Sequence, residues 1–127
     1  MTTARKTTKL TGFAHFAAAA GYSAGGFVRA WKEAAFRQEI VAGAVLAAIY
    51  AAVGVDANTG LAASILFLLL LAFEALNTAI EDIVDRISPE ESLTAKHAKD
   101  LGSFAVFCLL LANGALFIRI VGQAAFG

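Results

Sequence analysis

Three apolar stretches constrain this chain more than any other feature: Ile40 to Val55, Leu61 to about Ile83, and Leu101 to Ile118. A helix needs roughly 20 apolar residues to span the hydrocarbon core of a bilayer. The first stretch is slightly short and borrows from the upstream Glu33-Ala34-Ala35-Phe36-Arg37-Gln38-Glu39, whose long side chains reach the interface. Composition agrees: the 127 residues are 59% hydrophobic and 16% charged, with a mean hydropathy of +0.72, too apolar for an ordinary soluble protein. The expectation is an all-α membrane protein occupying residues 1–127 as one domain, with transmembrane helices at about 36–55, 61–84 and 101–121 behind an amino-terminal region 1–34.

The formal net charge is zero, so no global field points to nucleic acid, and the charges matter by position. Arg5, Lys6, Lys9, Arg29, Lys32 and Arg37 precede the first span. Arg86, Lys96 and Lys99 lie between the second and third, whereas the connector from Gly54 to Gly60 has no Lys or Arg. The positive-inside rule places the N-terminus and residues 85–100 in the cytoplasm, with the 54–60 turn and the C-terminus outside. Arg119 is the one dissenting charge. Before the first span, Phe13, Phe16, Ala20, Phe27 and Trp31 recur at loosely helical spacing, which predicts an amphipathic helix on the membrane surface, with Gly21, Gly25 and Gly26 able to break it in two. His15 interrupts the short apolar run there, so the N-terminus is expected to stay rather than be cleaved as a secretory signal. Ser88-Pro89-Glu90-Glu91 suits a helix start. Cys108, the one cysteine, excludes an internal disulfide and reads as a small buried hydrophobe.

Chemistry concentrates between Phe73 and Asp85. At about 100° per residue, Asn77, Glu81 and Asp85 fall within roughly 60° of Glu74, and Asp82 lies about 80° away. Four polar groups therefore make one stripe on an apolar helix. With a rise of about 1.5 Å per residue, Glu74 is some 10 Å deeper than Glu81 and about 16 Å deeper than Asp85. An acid at depth costs several kcal/mol unless it is neutralised, paired or open to water, so it is a functional candidate by default. Three acids with few bases nearby also suit Mg²⁺, which takes oxygen ligands and is usually held by one or two carboxylates plus substrate phosphates. Glu33 and Glu81 both belong at interface depth, and neither has an obvious local basic partner, so they are expected to share a divalent cation. No Gly-rich loop ends in Gly-Lys-Ser/Thr, which excludes a P-loop, and Cys108, His15 and His97 lack zinc-ligand spacing. Lys99-Asp100 sets a phosphate-binding cation beside an acid, and Asn113 reads as helix–helix glue.

The run Glu74-Ala-Leu-Asn77-Thr-Ala-Ile-Glu81-Asp-Ile-Val-Asp85 resembles the signature of the prokaryotic diacylglycerol kinase family. Gly21-Tyr22-Ser23, Glu33 to Glu39 and Ala98-Lys99-Asp100 are similar to that family in order and spacing, so the resemblance covers nearly all of residues 11–120. It implies a homotrimer of three-span subunits in the bacterial inner membrane, with active sites at the cytoplasmic interface that combine residues of neighbouring subunits. The substrates it implies are diacylglycerol and ATP, with Mg²⁺ as the cofactor. By the same resemblance Glu74 is the general base on the lipid hydroxyl, and Glu33 and Glu81 hold Mg²⁺ against ATP. Tyr22, Asn77, Asp85, Glu90, Glu91, Ser92, Lys99 and Asp100 surround the nucleotide, and Ala35, Phe36, Arg37, Gln38, Glu39 and Ser103 border the lipid groove together with Glu74. The chain departs from the family at His15, usually Arg, and at Ala18, usually Lys. His15 stands at an ATP-binding position, but a neutral imidazole cannot replace a bidentate guanidinium.

Two other readings stand beside this one. Undecaprenol kinases share the Glu74-to-Asp85 pattern but usually differ at Ala35 to Glu39, which favours diacylglycerol. A non-enzymatic, ion-conducting helical oligomer could line a pore with the carboxylate stripe, yet it has no need of interfacial Glu33, Lys99 and Asp100.

Overall fold

The computed structural model describes Lys9 and residues 11–127. Arg5 and Lys6, used above for orientation, lie outside the described residues. Four helices follow one another: α1 (Gly12–Trp31), α2 (Ala34–Val53), α3 (Ala57–Ile87) and α4 (Leu93–Phe126), with no strand among the described residues. The last three are long and apolar enough to cross a membrane. α3 and α4 form the main interface, α2 packs on both, and α1 touches α2 and α3.

Helix boundaries follow from local hydrogen bonding. Gly54 caps α2 with a left-handed backbone (φ 70°), donating its N–H to Tyr50 O at 3.1 Å, a conformation glycine adopts without a Cβ penalty. Asp56 then starts α3 earlier than the expected span. Its carboxylate accepts from the Thr59 amide at 3.0 Å and from the Thr59 hydroxyl at 2.8 Å, which turns residues 57–60 from connector into helix. The Ser88-Pro89-Glu90-Glu91 segment does not begin a helix. Ser88 ends α3, and α4 starts behind Ser92, whose hydroxyl accepts the Ala95 amide at 3.1 Å. The stronger local cap decides. α1 is continuous through Gly21, Gly25 and Gly26; each costs about 1 kcal/mol against Ala without breaking the helix.

Two further departures concern packing. Cys108 is exposed on α4 rather than buried. Phe36 is buried at the α1–α2 corner, edge-on to Phe27 with ring centroids 5.9 Å apart, and Phe27 stacks on Trp31 at 5.8 Å. Arg37 closes that corner by donating to Trp31 O at 2.6 Å. Asn113 on α4 donates to Leu66 O of α3 at 3.1 Å and to Leu109 O at 2.8 Å, the helix–helix role expected of it.

Candidate active site

The stripe on α3 grades from buried to wet. Glu74 and Thr78 are buried, at 7% exposure each, Asn77 and Glu81 are half-buried, and Asp82 and Asp85 are exposed. A carboxylate at the dry end of such a gradient is the group that desolvation acts on most strongly. Glu39, on α2, has an oxygen buried without a hydrogen-bond partner, and it lies within electrostatic reach of Glu74, as do Glu33 and Glu81. Four acids, Glu39 on α2, Glu74 and Glu81 on α3 and Glu33 between α1 and α2, thus converge on one end of the bundle.

α4 comes close to this stripe because Gly102 is buried against it. A Cβ on Gly102 would overlap Asn77 Oδ1, so a side chain there cannot coexist with Asn77 as placed. Asn77 in turn donates from Nδ2 to Glu81 Oε1 at 3.2 Å, while its Oδ1 is buried with no partner. A buried acceptor left open costs free energy that a donor would recover.

Beyond the stripe, the α3–α4 connector forms an open cleft of about 640 Å³. Its walls include Asp85, Glu90, Glu91, Ser92, Lys99 and Asp100, six of the residues singled out for the nucleotide. Lys99 Nζ bonds Asp85 Oδ1 at 2.5 Å and Lys96 Nζ bonds Asp100 Oδ2 at 2.5 Å, so cations and acids alternate along one wall. Mobile lysines beside acids suit a highly charged ligand, since the ammonium can exchange a carboxylate for a phosphate.

Glu33 sits at the α1–α2 junction and does have a basic partner, contrary to expectation. Arg29 Nη1 bonds Glu33 Oε1 at 2.6 Å, while Nε and Nη2 reach Asp82 Oδ2 at 3.1 Å and Oδ1 at 2.7 Å. These carboxylates, Asp82 first, hold Arg29 in its charged form more firmly than usual. Neither Arg29 nor Asp82 was singled out from the sequence. The Arg29–Glu33 spacing of four was the readable signal, obscured because α1 ends at Trp31 between them.

The remaining sequence candidates separate. His15 and Tyr22 are exposed on α1, and α1 makes no contact with α4 among the described residues. His15 stands about 21 Å along the helix from Arg29. The segment Ala35 to Glu39 turns through all faces of α2: Phe36 is buried, Ala35 is exposed, Arg37 and Gln38 border a shallow depression with Val41, and Glu39 lines a different groove with Phe67 and Leu110. Ser103 is exposed on α4.

The donor chemistry fits Mg²⁺. Glu33 and Glu81 each have one oxygen engaged, by Arg29 and Asn77, and the second without a hydrogen bond among the described residues. Among the described residues no three His, Cys, Asp or Glu side chains form a ready-made cage.

A family model described as prokaryotic diacylglycerol kinase matches residues 21–121. Among curated proteins, the diacylglycerol kinase of Sinorhizobium sp. is 53% identical over 113 residues, covering 89% of this chain and 82% of the relative. That of Escherichia coli K12 is 43% identical over 102 residues, covering 80% and 84%. The Pseudomonas aeruginosa enzyme is 44% identical over 103 residues, covering 79% and 82%.

Proposed function

The chain belongs to the prokaryotic diacylglycerol kinase family, and from that membership we propose how it moves the γ-phosphate of ATP onto the hydroxyl of diacylglycerol, yielding phosphatidic acid and ADP. The observation that carries the reading is the gradient along α3: a buried Glu74 below a half-buried Glu81, beside an open cleft lined by Asp85, Lys99 and Asp100. A hydroxyl anchored by acyl chains arrives at the buried end, and a charged nucleotide stays at the wet end.

In this mechanism Glu74 accepts the proton of the lipid hydroxyl as its oxygen attacks the γ-phosphorus and the bond to the ADP oxygen breaks. Glu33 and Glu81 would hold Mg²⁺, which when bound would supply charge neutralisation at the phosphates. Lys99 exchanges its Asp85 carboxylate for the phosphates, Asp85 and Asp100 border the nucleotide, and Asn77 fixes Glu81 through the bond already formed. Glu90, Glu91 and Ser92 border the nucleotide from the connector. Catalysis of this kind asks the protein mainly for positioning and charge neutralisation, which interfacial carboxylates and a lysine supply.

The assembly we propose is a homotrimer in the cytoplasmic membrane, with α1 on the inner surface and the active site facing the cytoplasm. Within one chain only 11% of the most apolar window of each span is buried, which leaves broad helix faces for lipid and neighbouring subunits. His15 and Tyr22, exposed on α1, then complete a nucleotide site of a neighbouring subunit. Ala35, Arg37, Gln38, Glu39 and Ser103 border the lipid.

The test is turnover of detergent-solubilised protein with radiolabelled ATP, Mg²⁺ and an equal surface concentration of diacylglycerol and undecaprenol. Label should enter phosphatidic acid predominantly. Preferential labelling of undecaprenol would assign the same chemistry to the polyprenol, and absence of transfer to either lipid would contradict the reading.

A further inference from the structure

One guanidinium ties together α1, α3 and the residue that precedes α2. Arg29, in the last turn of α1, grips Asp82 on α3 through Nε and Nη2, and reaches Glu33, the residue preceding α2, through Nη1. Arg29 and Glu33 side chains are about two-fifths exposed and that of Asp82 about half, at 41%, 39% and 52%. Ion pairs at such exposure contribute little to stability. Their worth lies in geometry, because the planar fork of Arg fixes the direction of both carboxylates it touches.

We propose that Arg29 and Asp82 are positioning residues that aim Glu33 at the metal site. The proposal rests on the reading of Glu33 and Glu81 as the Mg²⁺ ligands. Those two acids stand on different elements, and nothing in the backbone at the α1–α2 junction holds the Glu33 side chain: as residue preceding α2 it makes no capping bond. Asp82 is the neighbour of Glu81 on α3, so a guanidinium locked to Asp82 references Glu33 to the helix that carries its fellow ligand. Arg29 engages Oε1 of Glu33. Oε2 is thereby the oxygen presented to a cation, and Glu33 acts through one oxygen rather than two. The acid count also matters. Glu33, Glu74, Glu81 and Asp82 gather at one end of the bundle, and Arg29 is the cation placed between two of them, so it keeps Glu33 from being driven outward by its acidic neighbours when no ion is bound.

This pair has no capacity to act on the nucleotide directly while the guanidinium is spent on two carboxylates. The role therefore separates from substrate binding. Removing either member should loosen Glu33 and weaken metal binding, while a saturating ion re-recruits it.

The experiment pairs Mg²⁺ titration of turnover, at saturating ATP and diacylglycerol, with equilibrium binding of Mn²⁺ measured by electron paramagnetic resonance with a non-hydrolysable ATP analogue and no lipid, for Asp82→Asn, Arg29→Gln, Arg29→Lys, the Asp82→Asn/Arg29→Gln double variant and Glu33→Gln. The Mn²⁺ Kd should shift by the same factor as the Mg²⁺ half-saturation, and an unshifted Kd in the clamp variants would overturn the proposal. The first two variants should raise the Mg²⁺ half-saturation about tenfold, at the low end of the roughly 10–100-fold typical of groups that orient metal ligands. Their kcat at saturating Mg²⁺ should stay within a few fold of wild type. The double variant should be no worse than either single, because both remove one clamp. Arg29→Lys, which keeps the cation without the fork, should fall between. If Glu33→Gln shifts the Mg²⁺ requirement while the clamp variants do not, the clamp is refuted and the metal assignment survives. If Glu33→Gln leaves it unmoved, the metal assignment fails and the clamp with it. A loss confined to kcat, or to the KM for ATP, would also overturn the positioning role. Asp82 is exposed enough that Asp82→Asn keeps the fold, which circular dichroism of the same preparations checks.

Discussion

The two ends of the polar stripe on α3 are neutralised in opposite ways. At the wet end each acid meets a base or an amide: Asp82 takes Arg29, Asp85 takes Lys99, and Glu81 takes Asn77. At the dry end Glu74 and Glu39 lie near each other with no salt-bridge partner among the described residues. Exposed pairs are cheap to form and cheap to break, so the wet end suits a ligand that arrives, exchanges contacts and leaves. A buried acid without a base is costly. In the proposed mechanism it persists because a proton or a hydroxyl is handled there, with the lipid at that end and the nucleotide at the other.

The largest effect expected from this contrast is on the dry acid. Glu74→Gln keeps the shape but cannot accept the proton, and general-base help is typically worth about 10²–10⁴ in rate, so kcat should fall at least about a hundredfold. Turnover within a few fold of wild type would erase the distinction between the two ends. Next come the proposed metal ligands: Glu81→Gln or Glu33→Gln should raise the Mg²⁺ half-saturation roughly 50-fold, inside the about 10–100-fold range seen when groups around a metal are altered. A wild-type Mg²⁺ dependence in both variants would remove the ion from the wet end.

A smaller effect is expected where the two ends join. Gly102→Ala places a methyl on Asn77 Oδ1, so either Asn77 swings off Glu81 or α4 moves away from α3. Overpacking of this kind costs about 1–3 kcal/mol, which should appear as a lowered melting temperature together with weaker ATP binding; unchanged values of both would show that α3 and α4 do not meet there. The smallest effect lies away from the chemistry. Thr59 holds the Asp56 carboxyl below the usual carboxylate range, chiefly through its backbone amide. A depressed folded value means the cap stabilises above the unfolded value of about 4 and stops doing so as the pH falls through the folded one. Asp56→Ala should therefore melt slightly below wild type at pH 7 and alongside it in strong acid, with turnover unaffected. An equal difference at both pH values would assign the effect to packing instead.

What was readable in the sequence is what local periodicity controls. The three spans, the stripe from Glu74 to Asp85 and the helix-bonding role of Asn113 all follow from spacing along a single helix. Residues brought together by tertiary packing were not readable. The partner of Glu33 is a base on the far side of a helix break, gripped by an acid on a third helix. Gly102 offered no sign that its missing side chain makes room for Asn77. Phe36 stood in a segment assigned whole to the lipid, yet at 100° per residue five consecutive positions cannot share one face, and the aromatic one turned into the α1–α2 corner. Competition between neighbouring caps misled locally too: Ser88 and Ser92 both look like helix starts, and only the latter accepts an amide of the following turn.

The division of labour along α3 is tested most directly by equilibrium binding of Mg-ATP to Glu74→Gln and Glu81→Gln, measured without lipid. The account predicts that Glu74→Gln binds Mg-ATP as wild type does although it barely turns over, and that Glu81→Gln binds it far more weakly. Loss of Mg-ATP binding in Glu74→Gln, or wild-type binding in Glu81→Gln, would contradict the assignment of the lipid to the buried end and the nucleotide to the exposed one.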